Sequence, residues 1–474
     1  MMRRAVGVLA LGLVLGCGPP LALAQDQCSK AGSADLGFRL RFDADGHLSQ
    51  ACEADLQRIL DAATSSTDIF IFSHGWWNDP ESAEESYTRF ISEMRAVRPA
   101  ILRPTYRPLL VGIYWPSAYF PLGSEAEKET GLERNAPAKD QARDHFAKLF
   151  NWLPMVEGTD RDLAQIGKLL EKERAGQSIT REDFRQLAKI LKRWEVLAQP
   201  DADEESDRED VESPGENSIF SLNSADLAEY LWENSYAGSG EEGLEARKPS
   251  ILSVLNVFTF WQMKRRAGVV GESGVHDFLQ MLREKLHAAG NLNARTYLVG
   301  HSFGGKLLSS ALVGKSSRNQ NRATFLVLIQ SAFSHFAFAK REDIADLGIE
   351  SRGLTEGRYA DVMRNGLVAK RVVVTYSDRD TPNRFWYPLG VRITGDALER
   401  RGITPPTYGA LGADGAQRSG ARELVLPRGT MQWRLSDFPE KVVNLNASQV
   451  IGGHGKYFEK ELYGVLWQLV TEGD

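Results

Sequence analysis

Apolar and polar positions along the 474-residue chain follow two alternating rhythms. Runs that are apolar almost throughout lie in "TDIFIFSHGWWNDP" (67–80), "PLLVGIYWPS" (108–117), Tyr297-Leu298-Val299, "ATFLVLIQSAF" (323–333) and "RVVVTYSDRDTP" (371–382). They have the length of strands and no polar face, which is the condition of a parallel sheet covered by helices on both sides. "FRLRFDADGHL" (38–48) alternates instead, and its Asp45-Gly46 marks a turn behind an opening strand. Between these runs the spacing changes to threes and fours. "EADLQRILDAA" and "ESAEESYTRFISEMRAV" are amphipathic, and "SGVHDFLQMLREKLHAAG" puts Val275, Phe278, Leu279, Leu282 and Leu286 on one face before a stop at Gly290. "FEKELYGVLWQLV" (458–470) is the closing helix. Strands alternating with helices predict an α/β fold with a mostly parallel central sheet.

The alternation breaks between about 118 and 250, where helices occur without convincing strands. "TREDFRQLAKILKRWEVLA" has a capping signal at Thr180 and Asp183 and sets Phe184, Leu187, Leu191 and Trp194 at helical spacing. "DADEESDREDVE" (201–212) carries eight acidic residues in twelve, the pattern of a solvated loop. The block is expected to be a helical insertion, either a lid or a plain helical subdomain. It divides the sheet domain into an N-terminal part, 25–117, and a C-terminal part, 251–474. The composition, 42% hydrophobic and 25% charged, is that of a globular protein. A formal charge of −6 without a basic stripe argues against nucleic acid as a partner.

The start of the chain differs. "MMRRAVGVLALGLVLGCGPPLALAQ" has basic residues, an apolar run and then small residues, the anatomy of an export signal. The run is shorter than the roughly 20 residues a membrane-spanning helix needs. Cleavage after Ala22-Leu23-Ala24 would remove residues 1–24. Val14-Leu15-Gly16-Cys17 instead has the form of a bacterial lipobox, which would remove residues 1–16 and attach a lipidated Cys17 to a membrane. The lipobox is preferred; either route predicts a periplasmic, membrane-anchored or secreted protein. Cys28 and Cys52 remain, an even pair that suggests a disulfide in an oxidising compartment. The eight histidines show no HxxxH pair and the cysteines no CxxC pair, so neither a metal nor an organic cofactor is expected.

The stretch "YLVGHSFGGKLL" (297–308) carries the chemistry. A strand turns into a helix within a few residues, and Gly300, Gly304 and Gly305 surround Ser302. So tight a turn strains its central residue and forbids flanking side chains. A serine hydroxyl needs a base, the base an orienting acid, and the anionic intermediate needs fixed donors. In an open parallel sheet these parts lie at the carboxyl ends of strands. Asp380 is the preferred acid, with Asp378 the alternative on the same loop. His454, among glycines in "VIGGHGKYF", is the preferred base. His335 is its rival, and His301 is read as structural support. Phe303 N–H, at the start of a helix, and Trp76 N–H, in "SHGWWND", are the expected oxyanion donors. Trp76, Trp77, Tyr114 and Trp115 form either an apolar acyl pocket or ordinary core. "GESGV" (271–275) only superficially resembles a serine motif, and Ser273 is expected to be a helix N-cap.

Gly300-His301-Ser302-Phe303-Gly304 fits G-x-S-x-G, with an acid and then a histidine downstream and an apolar strand ending in His-Gly upstream. In this combination the chain resembles the α/β-hydrolase superfamily of lipases and esterases over roughly 35–117 and 253–474. The resemblance implies a sheet of about eight strands and a Ser–His–acid hydrolase; a small-molecule or lipid ester is the expected substrate. It does not identify that substrate. A non-catalytic binding module on the same fold, or an acyltransferase using the same residues, are the alternatives.

Overall fold

Each run without a polar face forms a strand, and every paired strand is parallel to its neighbour. The computed structural model describes residues 28, 37–76, 80–99, 105–117, 159–198, 223–234, 249–316, 320–345, 356–380, 382–387 and 409–472. The expected export signal with Cys17, Trp77 and the acidic stretch 201–212 lie outside the described residues. The strands are β1 (Phe38–Arg41), β2 (Asp68–Ser73), β3 (Pro108–Tyr114), β4 (Arg295–His301), β5 (Ala323–Ile329), β6 (Val368–Tyr376), β7 (Arg422–Val425) and β8 (Val442–Asn446). They form one eight-stranded sheet in the order β1-β3-β2-β4-β5-β6-β8-β7. The sheet is parallel throughout. The fold is therefore α/β, as the alternation of periods predicts. β7 and β8, from "RELV" and "VVNLN", complete a sheet whose other strands are the alternating β1 and the five apolar runs.

Period-two alternation within each strand sends side chains to two separate cores. Ile69 and Ile71 of β2, with Leu298 and Leu326, face α1 (Glu53–Ala63) and later helices, whereas Phe70 and Phe72 face the other side. There α2 (Pro80–Ala96) contributes Tyr87 and Phe90. Phe70, Tyr297 and Phe325 are register partners across β2, β4 and β5, and their rings stack at 4.4 and 5.0 Å. Such a row adds about 0.5–1.5 kcal/mol per pair beyond area burial. It locks the register on which the strand ends depend.

The described parts of the 118–250 block are α3 (Thr159–Arg174), α4 (Arg181–Ala198) and α5 (Ser224–Asn234), with no strand among them. The capping box is formed. Thr180 N–H donates to Asp183 Oδ2 at 2.7 Å, and Asp183 N–H donates to Thr180 Oγ1 at 3.3 Å. Phe184, Leu187 and Leu191 are buried as their spacing requires.

Ser273 is not an N-cap. α6 (Ile251–Val270) runs through a π-helical turn, Gly271–Val275, into α7 (His276–Ala288). Inside that turn the Ser273 hydroxyl bonds the carbonyls of Val269 and Asp45. The glycines that suggest a break serve close packing instead. A Cβ on Gly271 would fall on Leu307 O, and one on Gly274 on Gly46 O. Tertiary contact thus accounts for glycines that local propensity assigns to a helix end.

Cys28 and Cys52 are joined in a disulfide 24 residues apart, buried beside the edge strand β1, where Cys52 Sγ accepts Arg41 N–H at 3.3 Å. Among the described residues no helix is long and apolar enough to cross a membrane. Closing a loop of this length stabilises by about 3 kcal/mol through the entropy of the unfolded chain. Cys52→Ala is therefore expected to lose about that much in urea denaturation, and reductant should shift the wild-type midpoint the same way. A midpoint indifferent to reductant would remove this role.

Candidate active site

The sheet's order reverses between β2 and β4. From β2 the chain moves outward to β3 on one side and only later to β4 on the other. At such a switch point the loops leaving the two strands diverge, and a crevice opens at the carboxyl edge. Ser73 and Gly300 are register partners there, so the loop with Gly75 and the turn with Ser302 face each other.

The turn is made by absence of side chains. α8 (Phe303–Val313) begins directly after Ser302. A Cβ on Gly300 would lie 2.5 Å from Gly304 O, and one on Gly304 would fall on the carbonyl oxygens of Ser73 and His74. With the helix pressed against the strands, Ser302 has φ 55° and ψ −125°, a backbone that costs a non-glycine residue about 1–3 kcal/mol. Ser302 N–H donates to Ile329 O at 3.0 Å and anchors the turn to β5.

Two further loops converge on the hydroxyl. Ser302 Oγ lies 2.9 Å from His454 Nε2, and His454 Nδ1 lies 3.0 Å from each oxygen of Asp380. An ionised carboxylate only accepts, so Nδ1 carries the proton and Nε2 is left to accept from the serine. The acid and histidine loops are stitched together by Ser377 Oγ, which donates to Ile451 O at 3.0 Å, and by Ala447 N–H, which donates to Tyr376 O at 2.8 Å. Ser302 and Asp380 are almost fully enclosed, and His454 is partly exposed.

His301 braces this arrangement. Its Nε2–H donates to His454 O at 3.0 Å, and its ring stacks on Tyr457 at 3.9 Å. Burial, with the nearby His454 acting in the same direction, holds its titration well below the ordinary imidazole range, so it stays a neutral donor. His74 is similar. Burial pushes it down to about 4; Nδ1–H donates to Gly75 O at 2.9 Å, while Nε2 accepts Trp115 N–H at 3.4 Å. Gly75 is thereby held against the serine, where a Cβ would lie 2.6 Å from Ser302 Cβ. Trp76 follows it, its ring 6.1 Å from that of Phe303.

Comparison with family models, curated proteins and solved structures finds no match to this chain. Of the two acids on the β6 loop, Asp380 faces the imidazole, whereas Asp378 is exposed and its N–H is held by Ser448 Oγ at 3.0 Å. The rival base His335 is paired with Asp414 at 3.1 Å, away from the serine's hydrogen-bonding partners. Tyr114 and Trp115 are core residues. Tyr114 O–H donates to a Glu84 carboxylate oxygen at 2.7 Å, and Trp115 stacks on His74. Two buried residues escaped the sequence reading, Gln330 and Asn383, both bonded to Asp380. Gln330 had a usable signal: it is polar and stands at the carboxyl end of the strand beside β4.

Two outcomes follow from this packing. Gly304→Ala should destabilise by about 1–3 kcal/mol, because backbone carbonyls cannot yield to a methyl group. Gly167→Ala in α3, where a Cβ meets nothing within 4 Å, should gain up to about 1 kcal/mol. Equal denaturation midpoints for the two variants would refute the close approach. Stability should also fall with acid. Unfolded His74 binds a proton below about 6.5, and folded His74 only below about 4, so the unfolded chain holds the extra proton between those values. From this group alone, unfolding free energy should drop by about 2 kcal/mol between pH 7 and pH 5. Urea titrations at the two pH values measure it; no drop would mean that His74 charges freely in the fold.

Proposed function

We propose that this chain is a serine hydrolase that cleaves carboxylic esters through an acyl-enzyme. The observation that carries the reading is the unbroken line from Ser302 Oγ through His454 to the buried Asp380, on a serine held at positive φ. A hydroxyl is a weak nucleophile until a neighbouring base removes its proton as the new bond forms. In this reading Ser302 Oγ attacks the ester carbonyl carbon while its proton passes to His454 Nε2. The tetrahedral intermediate collapses, the ester C–O bond breaks, and His454 returns the proton to the departing alcohol. Water then attacks the acyl-serine by the same route and releases the acid. Asp380 orients the imidazole and stabilises its charged form.

The oxyanion would be met by the amide of Phe303, first residue of α8, and by that of Trp76 on the facing loop. Their support is position. Phe303 follows the nucleophile at a helix N-terminus, and Gly75 lies close enough to bring the next amide alongside. A strained G-x-S-x-G serine between a parallel strand and a helix, followed by acid and histidine in that order, is the arrangement of α/β-hydrolases.

A fluorophosphonate probe should label the wild type and leave Ser302→Ala unlabelled. Asp380→Asn should lower kcat on a cleaved ester by roughly 10⁴ by favouring the wrong imidazole tautomer. Asp378→Asn should stay within about twofold, as an exposed loop residue does. A wild type inert to the probe and to esters of every chain length would sink the reading in favour of a binding module. Ester products formed in the presence of an added alcohol would indicate acyl transfer instead.

A further inference from the structure

Asp380 has no exposure to water, and both of its carboxyl oxygens lie 3.0 Å from His454 Nδ1. A buried carboxylate remains ionised only where donors replace its hydration. Apart from His454, those donors come from two residues, Gln330 and Asn383. Gln330 Nε2–H donates to Oδ2 at 2.9 Å, Asn383 Nδ2–H to the same oxygen at 2.8 Å, and Asn383 N–H to Oδ1 at 3.0 Å.

Gln330 is the unusual member. It is wholly buried and has φ 44°, one of three non-glycine residues at positive φ among those described. Its backbone is held in that conformation from both ends. Its N–H donates to Thr375 Oγ1 at 3.1 Å, and its carbonyl accepts Asn383 Nδ2–H at 2.8 Å. Its own Oε1 is buried with no hydrogen-bond partner. An amide flipped to satisfy Oε1 elsewhere would put oxygen against a carboxylate, so the donor's direction is unambiguous. Left-handed strain and an unmet acceptor are both tolerated so that one N–H reaches Asp380.

We propose that Gln330 is a positioning residue for the acid: it holds the Asp380 carboxyl turned toward His454, acting on the reaction only through that pair. The proposal rests on the hydrolase reading for its catalytic consequence, though not for the hydrogen bond itself. Other charged groups around the pair do not substitute for it. His301 from β4 and His74, directly after β2, are buried and neutral. Asp378, Arg379 and Arg384 on the acid loop, and Lys456 on the histidine loop, are exposed; Asp414 is paired with His335.

The test uses Gln330→Met, which keeps the length and removes the donor, and Gln330→Asn. Asparagine adopts positive φ more readily but is one methylene too short to reach Asp380. With a donor gone, the Asp380–His454 pair holds a proton more tightly. In both variants the acidic limb of the kcat/KM profile on a p-nitrophenyl ester should move to higher pH by about one unit. Plateau kcat should fall about tenfold with KM little changed, since Gln330 touches no substrate. The His454 ring, followed by NMR with labelled histidine, should show the same shift without any substrate present. If Gln330→Met fails to fold, Gln330→Asn carries the test alone. An asparagine variant with the wild-type profile and ring titration would overturn the proposal. A wild type that neither labels nor turns over, but whose ring titration still shifts in the variants, would sink the hydrolase reading and leave the positioning contact standing.

Discussion

The structure depends on a contact between backbones, where the first turn of α8 lies against the ends of β2 and β4 with no room for a side chain. Gly300 and Gly304 are the residues that permit it. Once the helix is that close, the residue between strand and helix cannot relax to negative φ, and Ser302 is lifted to the carboxyl edge. The same closeness puts Phe303 N–H beside the serine and buries the Phe303 ring in the core against which Trp76 packs. Strain, the contact of the hydroxyl with His454 and the position of the nearest amide are thus one geometric consequence.

β5 ties this turn to the rest of the site through two adjacent residues. Ile329 accepts the Ser302 amide proton, and Gln330 donates to Asp380. The serine turn and the acid loop are therefore indexed to one strand end. The histidine loop is indexed to the acid loop through Ser377 and to β4 through His301. No loop in this arrangement is placed by its own sequence alone, and each is held by bonds at more than one point.

Burial controls the electrostatics. Asp380, His74 and His301 are all buried, but their partners differ. Amide donors surround the Asp380 carboxyl, whereas the two imidazoles stay neutral because burial penalises their charged form. Neutral His301 can then donate to the His454 carbonyl without placing a positive charge beside that ring.

Much of this was legible in the chain. Apolar runs without a polar face specified buried parallel strands, because a half-solvated strand would have to alternate. Glycines around Ser302 specified a tight turn, because only glycine lets strand and helix backbones touch. The rule that loops at carboxyl ends carry the chemistry then led to Asp380 and His454. Tertiary structure decided what spacing cannot express. It settled which aspartate of "SDRD" faces inward, since both lie on one loop and only the fold turns Asp380 toward the imidazole. It made Gly271 and Gly274 packing contacts inside a continuous helical rod, as their partners lie on α8 and on the loop after β1. It made Tyr114 and Trp115 core, and gave Gln330 a partner 50 residues away. Local pattern determines which elements form, whereas a hydrogen bond between distant loops exists only once the sheet has brought their ends to one edge.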